Sequence, residues 1–478
     1  MKKIFLVTIL LILTGCTVHP VFDPATGLLP LVHRINSAIK ASGLETNIGI
    51  SVRSARTGKT LYAYNDRHLF NPASNNKIYT ATAALQFLTP AHRYRTGLYL
   101  PPQRMASDSL SRLTLVAAAD PDFYPRHLDS LATVLAQHFN VVDTIMIDNT
   151  ILDTVYYGNG WMWDEGSGWY SAQIDGMIFN DNCVDFHVSN GEPGSPPDIT
   201  IIPPTQYIQI DNKAVTTHDT IDLEPFSIRR HWWEDNNKFD VWGHFFRTDS
   251  NTAVYYRNIH DPARFTGTVL KEMLEEKGTL VRGPILEHSL FPGDTLFAYH
   301  ESDSFLVSLA NFLKESDNLS GESYLKLIGH YQSGNPGSWP DGLLATKSFL
   351  ADSVGLDTSA FSYVDGSGIS RYNYSAPRHF TQLLYWIYQR PGFKQSFLAS
   401  LPVGGWDGTL ENRMQTGQES QYVHAKTGTL SGASCLSGYI LKPGKEPLVF
   451  SIMMNGYVDE AGPYRDLQDE IVNILLQR

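Results

Sequence analysis

The chain has 478 residues, 42% of them hydrophobic and 18% charged, which is enough apolar material for two or three domains with buried cores and excludes a disordered chain. A net charge of -12 with no basic stripe argues against a nucleic-acid partner. The sixteen histidines show no H-E-x-x-H or comparable spacing, and Cys16, Cys183 and Cys435 lie far apart, so neither a metal site nor an organic cofactor is expected.

Lys2 and Lys3, followed by an apolar run over 4–13, read as a targeting segment too short to span a bilayer. Leu13-Thr14-Gly15-Cys16 is similar to a bacterial lipobox, which implies cleavage before Cys16 and a lipid on that cysteine. The mature protein is then expected outside the cytoplasm, tethered to a membrane of the cell envelope. Residues 17–30 read as a tether. Apolar spacing predicts a helix over 31–41, and alternation predicts strands at 48–52 and 60–64, joined by Thr57-Gly58-Lys59. An Ala-rich apolar helix follows over 78–87.

Between 90 and 203 the pattern is mixed, with strands expected at 113–116 and 141–147 and a helix over 128–139. Asp120-Pro121-Asp122 reads as a turn. The run Gly160-Trp161-Met162-Trp163-Asp164-Glu165 fits either a packed domain junction or a substrate-facing wall. Short strands at 200–202, 207–210, 220–223 and 239–246 suggest a small β-rich insertion, and an amphipathic helix over 264–277 stops at Gly278. Helices are then expected at 304–314 and 322–330, separated by Glu315-Ser316-Asp317-Asn318. The chain closes with strands at 436–441 and 448–454 and a helix over 467–476.

Three short motifs stand out. Ser74 and Lys77, preceded by Pro72, lie three residues apart and share a face if a helix begins there. A Ser-x-x-Lys should arise by chance ~2 times in such a chain, so it decides nothing alone. Ser316-Asp317-Asn318 sits at the stop between two helices. Lys426-Thr427-Gly428-Thr429 sits just before the C-terminal hairpin, and Lys-Thr-Gly is expected by chance only ~0.1 times. The three occur in the order shared by penicillin-interacting serine enzymes.

The chain resembles the class C low-molecular-mass penicillin-binding proteins, the D-alanyl-D-alanine carboxypeptidase/endopeptidase family. Beyond the triple, the likeness rests on Pro72-Ala73-Ser74-Asn75, Asp365-Gly366-Ser367-Gly368, Leu401-Pro402 through Gly408-Thr409-Leu410, and Lys426 through Leu430. It implies an α/β fold of several domains: a transpeptidase/β-lactamase-like domain over 31–90 and 295–478, an inserted α/β domain over 91–198 and 258–294, and an inserted β-rich domain over 199–257. It also implies peptidoglycan stem peptides as substrate and β-lactams as inhibitors.

The chemistry follows from the residue types. Ser74 is the expected nucleophile, and Lys77 its base if burial and the nearby Lys426 keep the amine neutral. Ser316 would relay a proton to the leaving amine, and Asn318 would offer its amide to the substrate backbone. Lys426 and Thr427 would hold the terminal carboxylate, while Gly428 lets the strand approach closely. The resemblance implies oxyanion donors on the backbone N–H groups of Ser74 and Thr429. It also implies that an acid near Asp164 and Glu165 meets an amino group on the stem, though either residue fits a surface charge equally. His424 reads as packing. Cys183 and Cys435 fit one disulfide or two buried thiols. Two other readings remain: a non-catalytic peptidoglycan-binding scaffold, and a serine β-lactamase.

Overall fold

The computed structural model describes residues 29–102, 108–217, 224–246, 252–415 and 419–478. The targeting segment, Cys16 and the strand expected at 220–223 lie outside the described residues. A five-stranded antiparallel sheet organises the two ends of the chain, in the order Val423–Leu430, Ala433–Ile440, Leu448–Asn455, Asn47–Ser54 and Thr60–Tyr64. Asn47 pairs with Asn455 and Ser54 with Leu448, so the first and last strands of the chain are neighbours. Both faces are covered: every residue of Ala433–Ile440 is buried, as expected where helices pack on each side.

One face is closed by the helices Leu29–Ser42 and Gly462–Leu476, whose Ile35, Leu467 and Ile471 pack on Ile50, Leu436 and Ile452. On the other face lie Lys77–Phe87, Asn318–Ser333 and Pro377–Tyr388, around Tyr79, Tyr324 and Phe380. Lys77–Phe87 is buried on nearly every side, which suits its run of Ala and Thr: small side chains let neighbouring helices close in.

The inserted chain forms its own apolar cluster. Its larger sheet has five strands, Ile285–Glu287, Ile145–Asp148, Leu113–Val116, Arg95–Leu100 and Thr295–Glu301, backed by the helices Pro125–Ala136 and Pro262–Glu276. Thr295–Glu301 therefore hydrogen-bonds with Arg95–Leu100, on the inserted side of the boundary expected at 295. The β-rich part also begins earlier than 199, because Cys183–Ser189 is the central strand between Asp198–Ile202 and Ala253–Asn258. Strand pairing between segments this far apart in sequence leaves no local signal. Cys183 and Cys435 are buried free thiols, not a disulfide.

Candidate active site

Ser74 sits in a single 3-10 turn, Ala73–Asn76, that leads into the helix Lys77–Phe87. The turn is tightly held. Ala73 has φ +47°, a left-handed conformation unfavourable for a residue with a Cβ and maintained here by surrounding contacts. Asn71 Oδ1 accepts from the Ala73 N–H, Asn75 Nδ2 donates to Ser437 Oγ at 2.7 Å, and Asn76 Nδ2 donates to the Asp365 carbonyl at 2.8 Å. Val423–Leu430 runs alongside. A Cβ on Gly428 would lie 2.7 Å from the Pro72 carbonyl oxygen and 3.0 Å from the Ser74 amide nitrogen, so glycine is what admits this strand to the turn.

Lys77 is fully buried, and its Nζ lies 3.1 Å from Ser74 Oγ, 2.6 Å from Asn318 Oδ1 and 2.8 Å from the Ser367 carbonyl. Two of these partners, the carbonyl and the amide oxygen, can only accept. They take N–H bonds and leave the third tetrahedral position of the amine facing Ser74. In the neutral amine that position is the lone pair. Burial lowers the Lys77 pKa to about 8, against opposing pull from Asp317, Glu322 and Asp365. Lys426 is also buried, and burial together with the charge of Lys77 pushes its pKa well below the usual lysine range.

The orientation of Asn318 is set by its other end. Its Nδ2 donates to the Tyr170 carbonyl at 2.9 Å, so Oδ1 must face Lys77. One of the two amide N–H groups is thus engaged by the inserted chain, which leaves the other for the substrate contact expected of Asn318. Asp317 is the N-cap of Asn318–Ser333, accepting from Leu319 N and Ser320 N, while Ser316 adopts φ +63° and lines the cleft.

The cleft has a volume of about 680 Å³ and brings Ser74, Ser316, Asn318, Thr427 and Thr429 together with Glu165. Lys426 lies beneath it, its Nζ donating to the Thr427 carbonyl at 3.1 Å. Thr427 Oγ1 donates to Thr409 Oγ1 at 2.8 Å, and Arg465 Nη2 reaches Thr429 Oγ1 at 3.4 Å. Burial raises the pKa of Glu165, with Arg371 opposing. Asp164 faces a second groove instead, lined in common with the cleft only by Glu165, Trp169 and Tyr170. His424 is half-buried on the edge strand, where burial lowers its pKa.

Sequence reading missed Glu322 and gave Asp365 no role. Both are fully buried behind Lys77. Glu322 accepts from Gly366 N, Ser367 N and Trp339 Nε1, each at 2.8 Å. Asp365 accepts from Gly368 N, Ser370 N, Asn373 Nδ2 and Trp161 Nε1. Together they fold the 365–370 loop so that the Ser367 carbonyl meets Lys77. Burial raises both carboxyl pKa values, and the charge of Asp365 adds to the shift on Glu322. The available signal was spacing: Glu322 is four residues after Asn318 on one helix, hence on the same face.

With a serine, a buried lysine and the Lys-Thr-Gly strand converging on one cleft, the geometry is that of a serine acyltransferase. The chain belongs to the D-Ala-D-Ala carboxypeptidase 3 (S13) family, whose pattern matches residues 31–477. It is 31% identical over 479 residues to a D-alanyl-D-alanine carboxypeptidase of Actinomadura, covering 95% of this chain and 86% of the relative. It is 24% identical over 418 residues to D-alanyl-D-alanine carboxypeptidase DacB of Haemophilus influenzae, covering 86% of each. The fold matches the crystal structure of penicillin binding protein 4 (dacB) from Haemophilus influenzae with a TM-score of 0.80 and 21% identity, over 92% of this chain and 99% of that one.

Proposed function

We propose that the protein hydrolyses the terminal D-Ala-D-Ala bond of peptidoglycan stem peptides, and D-Ala cross-links between stems, through an acyl-Ser74 intermediate. The observation that carries this reading is the buried Lys77 amine, 3.1 Å from Ser74 Oγ, with its other two contacts made to pure acceptors. Ser74 passes its proton to Lys77 Nζ as Oγ bonds to the carbonyl carbon. The backbone N–H groups of Ser74 and Thr429 stabilise the oxyanion. The C–N bond then breaks, and the departing D-Ala amine receives a proton through Ser316. Water completes the cycle by cleaving the ester. Thr427 and Thr429 bind the terminal carboxylate over Lys426, whose buried charge, when present, favours an anion above it. Glu165, which lines the cleft, is the acid assigned here to meet an amino group on the stem, while Asp164 faces the neighbouring groove.

In this reading 31–90 and the residues after Glu301 carry the chemistry, and the inserted segments supply the opposing wall. Penicillins acylate the same serine. A lipid on Cys16 holds the enzyme at a membrane of the cell envelope, which metabolic labelling with a radioactive fatty acid tests against a Cys16→Ala control. The central test is intact-protein mass over time with benzylpenicillin, alongside D-Ala release from a soluble pentapeptide. A stable adduct with D-Ala release supports the peptidase. An adduct that turns over rapidly with drug hydrolysis identifies a β-lactamase, and neither adduct nor release identifies a scaffold.

A further inference from the structure

The second groove, about 620 Å³ in volume, is lined mostly by residues the acyl transfer does not use, Trp163, Arg229, Trp232 and Trp233 among them. Its rings are unusually exposed for their type: Trp163 is 74% exposed, Trp233 53% and Trp169 40%. Trp163 packs against Trp232 with centroids 4.7 Å apart, and Trp232 against Trp233 at 5.8 Å, so the rings form a continuous surface and not scattered side chains.

That surface is built from two segments far apart in sequence and fixed to each other. Asn258 Nδ2 donates to the Gly166 and Gly168 carbonyls at 3.0 and 2.8 Å, while its Oδ1 accepts from the buried Arg230 at 3.2 and 3.0 Å. Gly166, at φ +61°, lies under Trp232: a Cβ there would come within 2.9 Å of the indole nitrogen. The platform is thus preformed. It also adjoins the catalytic cleft, because Glu165, Trp169 and Tyr170 line both.

We propose that this groove binds the glycan of peptidoglycan, stacking N-acetylated sugar rings on Trp163 and Trp233 while a stem peptide from the same strand enters the cleft. A pyranose presents an apolar C–H face and a rim of hydroxyl and acetamido groups. The groove presents the matching mixture: flat aromatic faces with Asp164, Ser167 and Arg229 at their edges. Continuity with the cleft selects this occupant over an unrelated one, since a polymer whose stem reaches Ser74 must lay its backbone beside it. The choice of polymer rests on the peptidase reading; the sugar-binding chemistry does not.

The test uses the full chain with Ser74→Ala, so that binding is read without turnover, and two probes: peptide-free peptidoglycan glycan chains and N-acetylglucosamine tetramer. Tryptophan fluorescence should change on titration. Trp163→Ala and Trp233→Ala should each weaken binding about 5- to 10-fold, and Trp233→Phe should retain most of it. In the active enzyme the same alanine variants should leave pentapeptide turnover and penicillin acylation within about twofold of wild type, yet slow D-Ala release from intact peptidoglycan by the factor seen in binding. No glycan binding by the parent, or alanine variants that bind as it does, overturns the proposal. Glycan binding that depends on the tryptophans in a protein without peptidase turnover supports the groove and removes the peptidase reading instead.

Discussion

The two walls of the cleft are built on opposite physical terms. Behind Lys77, Glu322 and Asp365 are fully buried and accept N–H donors from the backbone and from Trp339, Trp161 and Asn373. Across from it, Glu165, Trp169 and Tyr170 face solvent from short irregular turns. A base must be held dry and within hydrogen-bond reach of its target, and buried polar groups give that precision only when fully paired. Recognition of a polymer needs open surface. The contrast teaches that the chain keeps a paired, buried layer and an open aromatic wall apart, with the bonds from Asn318 Nδ2 to the Tyr170 carbonyl and from Trp161 Nε1 to Asp365 among the links between them.

The comparison can be broken most severely at the rear. Ser74→Ala should abolish covalent labelling by benzylpenicillin, measured by intact mass, with an unchanged circular dichroism spectrum; persistent labelling would mean that another residue is the nucleophile. Lys77→Ala should slow acylation by about 10²–10⁴-fold, read in stopped flow. In wild type the rate should climb with pH and level off above about 8, because only the neutral amine accepts the serine proton. A flat profile from pH 6 to 9 would remove Lys77 as base.

Glu322→Gln probes the layer beneath. A primary amide keeps one acceptor oxygen and puts N–H in place of the other, so either Ser367 N or both Gly366 N and Trp339 Nε1 lose their acceptor, and stability to urea should fall by about 1–3 kcal/mol. The negative charge of Glu322 raises the Lys77 pKa, so its removal should shift the acylation midpoint to lower pH. A midpoint that stays put would make Glu322 a purely structural residue. The smallest effect belongs to the front wall. Glu165→Gln should raise KM for an amino-bearing stem by no more than ~5-fold with kcat preserved, and Asp164→Asn, which faces only the outer groove, by less.

The motifs themselves were readable in the chain because they are local: Ser74 and Lys77 are three positions apart, and Lys426, Thr427 and Gly428 are consecutive. The terminal hairpins and helices were readable for the same reason, each having its own apolar period and turn. Helices Trp339–Phe349, Pro377–Tyr388 and Pro391–Ser400 are not among the elements expected from the sequence; each begins at or beside a proline. Strands Arg95–Leu100 and Thr295–Glu301 are partners across the whole insertion and have no local signature of pairing. Glu322 looks like any helical glutamate until the 365–370 loop folds over it. Trp163 and Trp232 come from distant segments that Asn258 ties together by bonding to both Arg230 and the Gly166 carbonyl.

The pairing of Asn47–Ser54 with Leu448–Asn455 bears on when this protein can act. The strand carrying Lys426, Thr427 and Gly428 reaches the sheet through Ala433–Ile440, which itself needs Leu448–Asn455 as a neighbour. Ser74 is made about 350 residues before Thr427 and Thr429 of the strand that lines the same cleft. At about 5–20 residues per second, the interval between them is on the order of 20–80 s. During that interval the nascent chain has a nucleophile and no complete cleft, so the peptidase stays inert until the strand carrying Lys426 is in place.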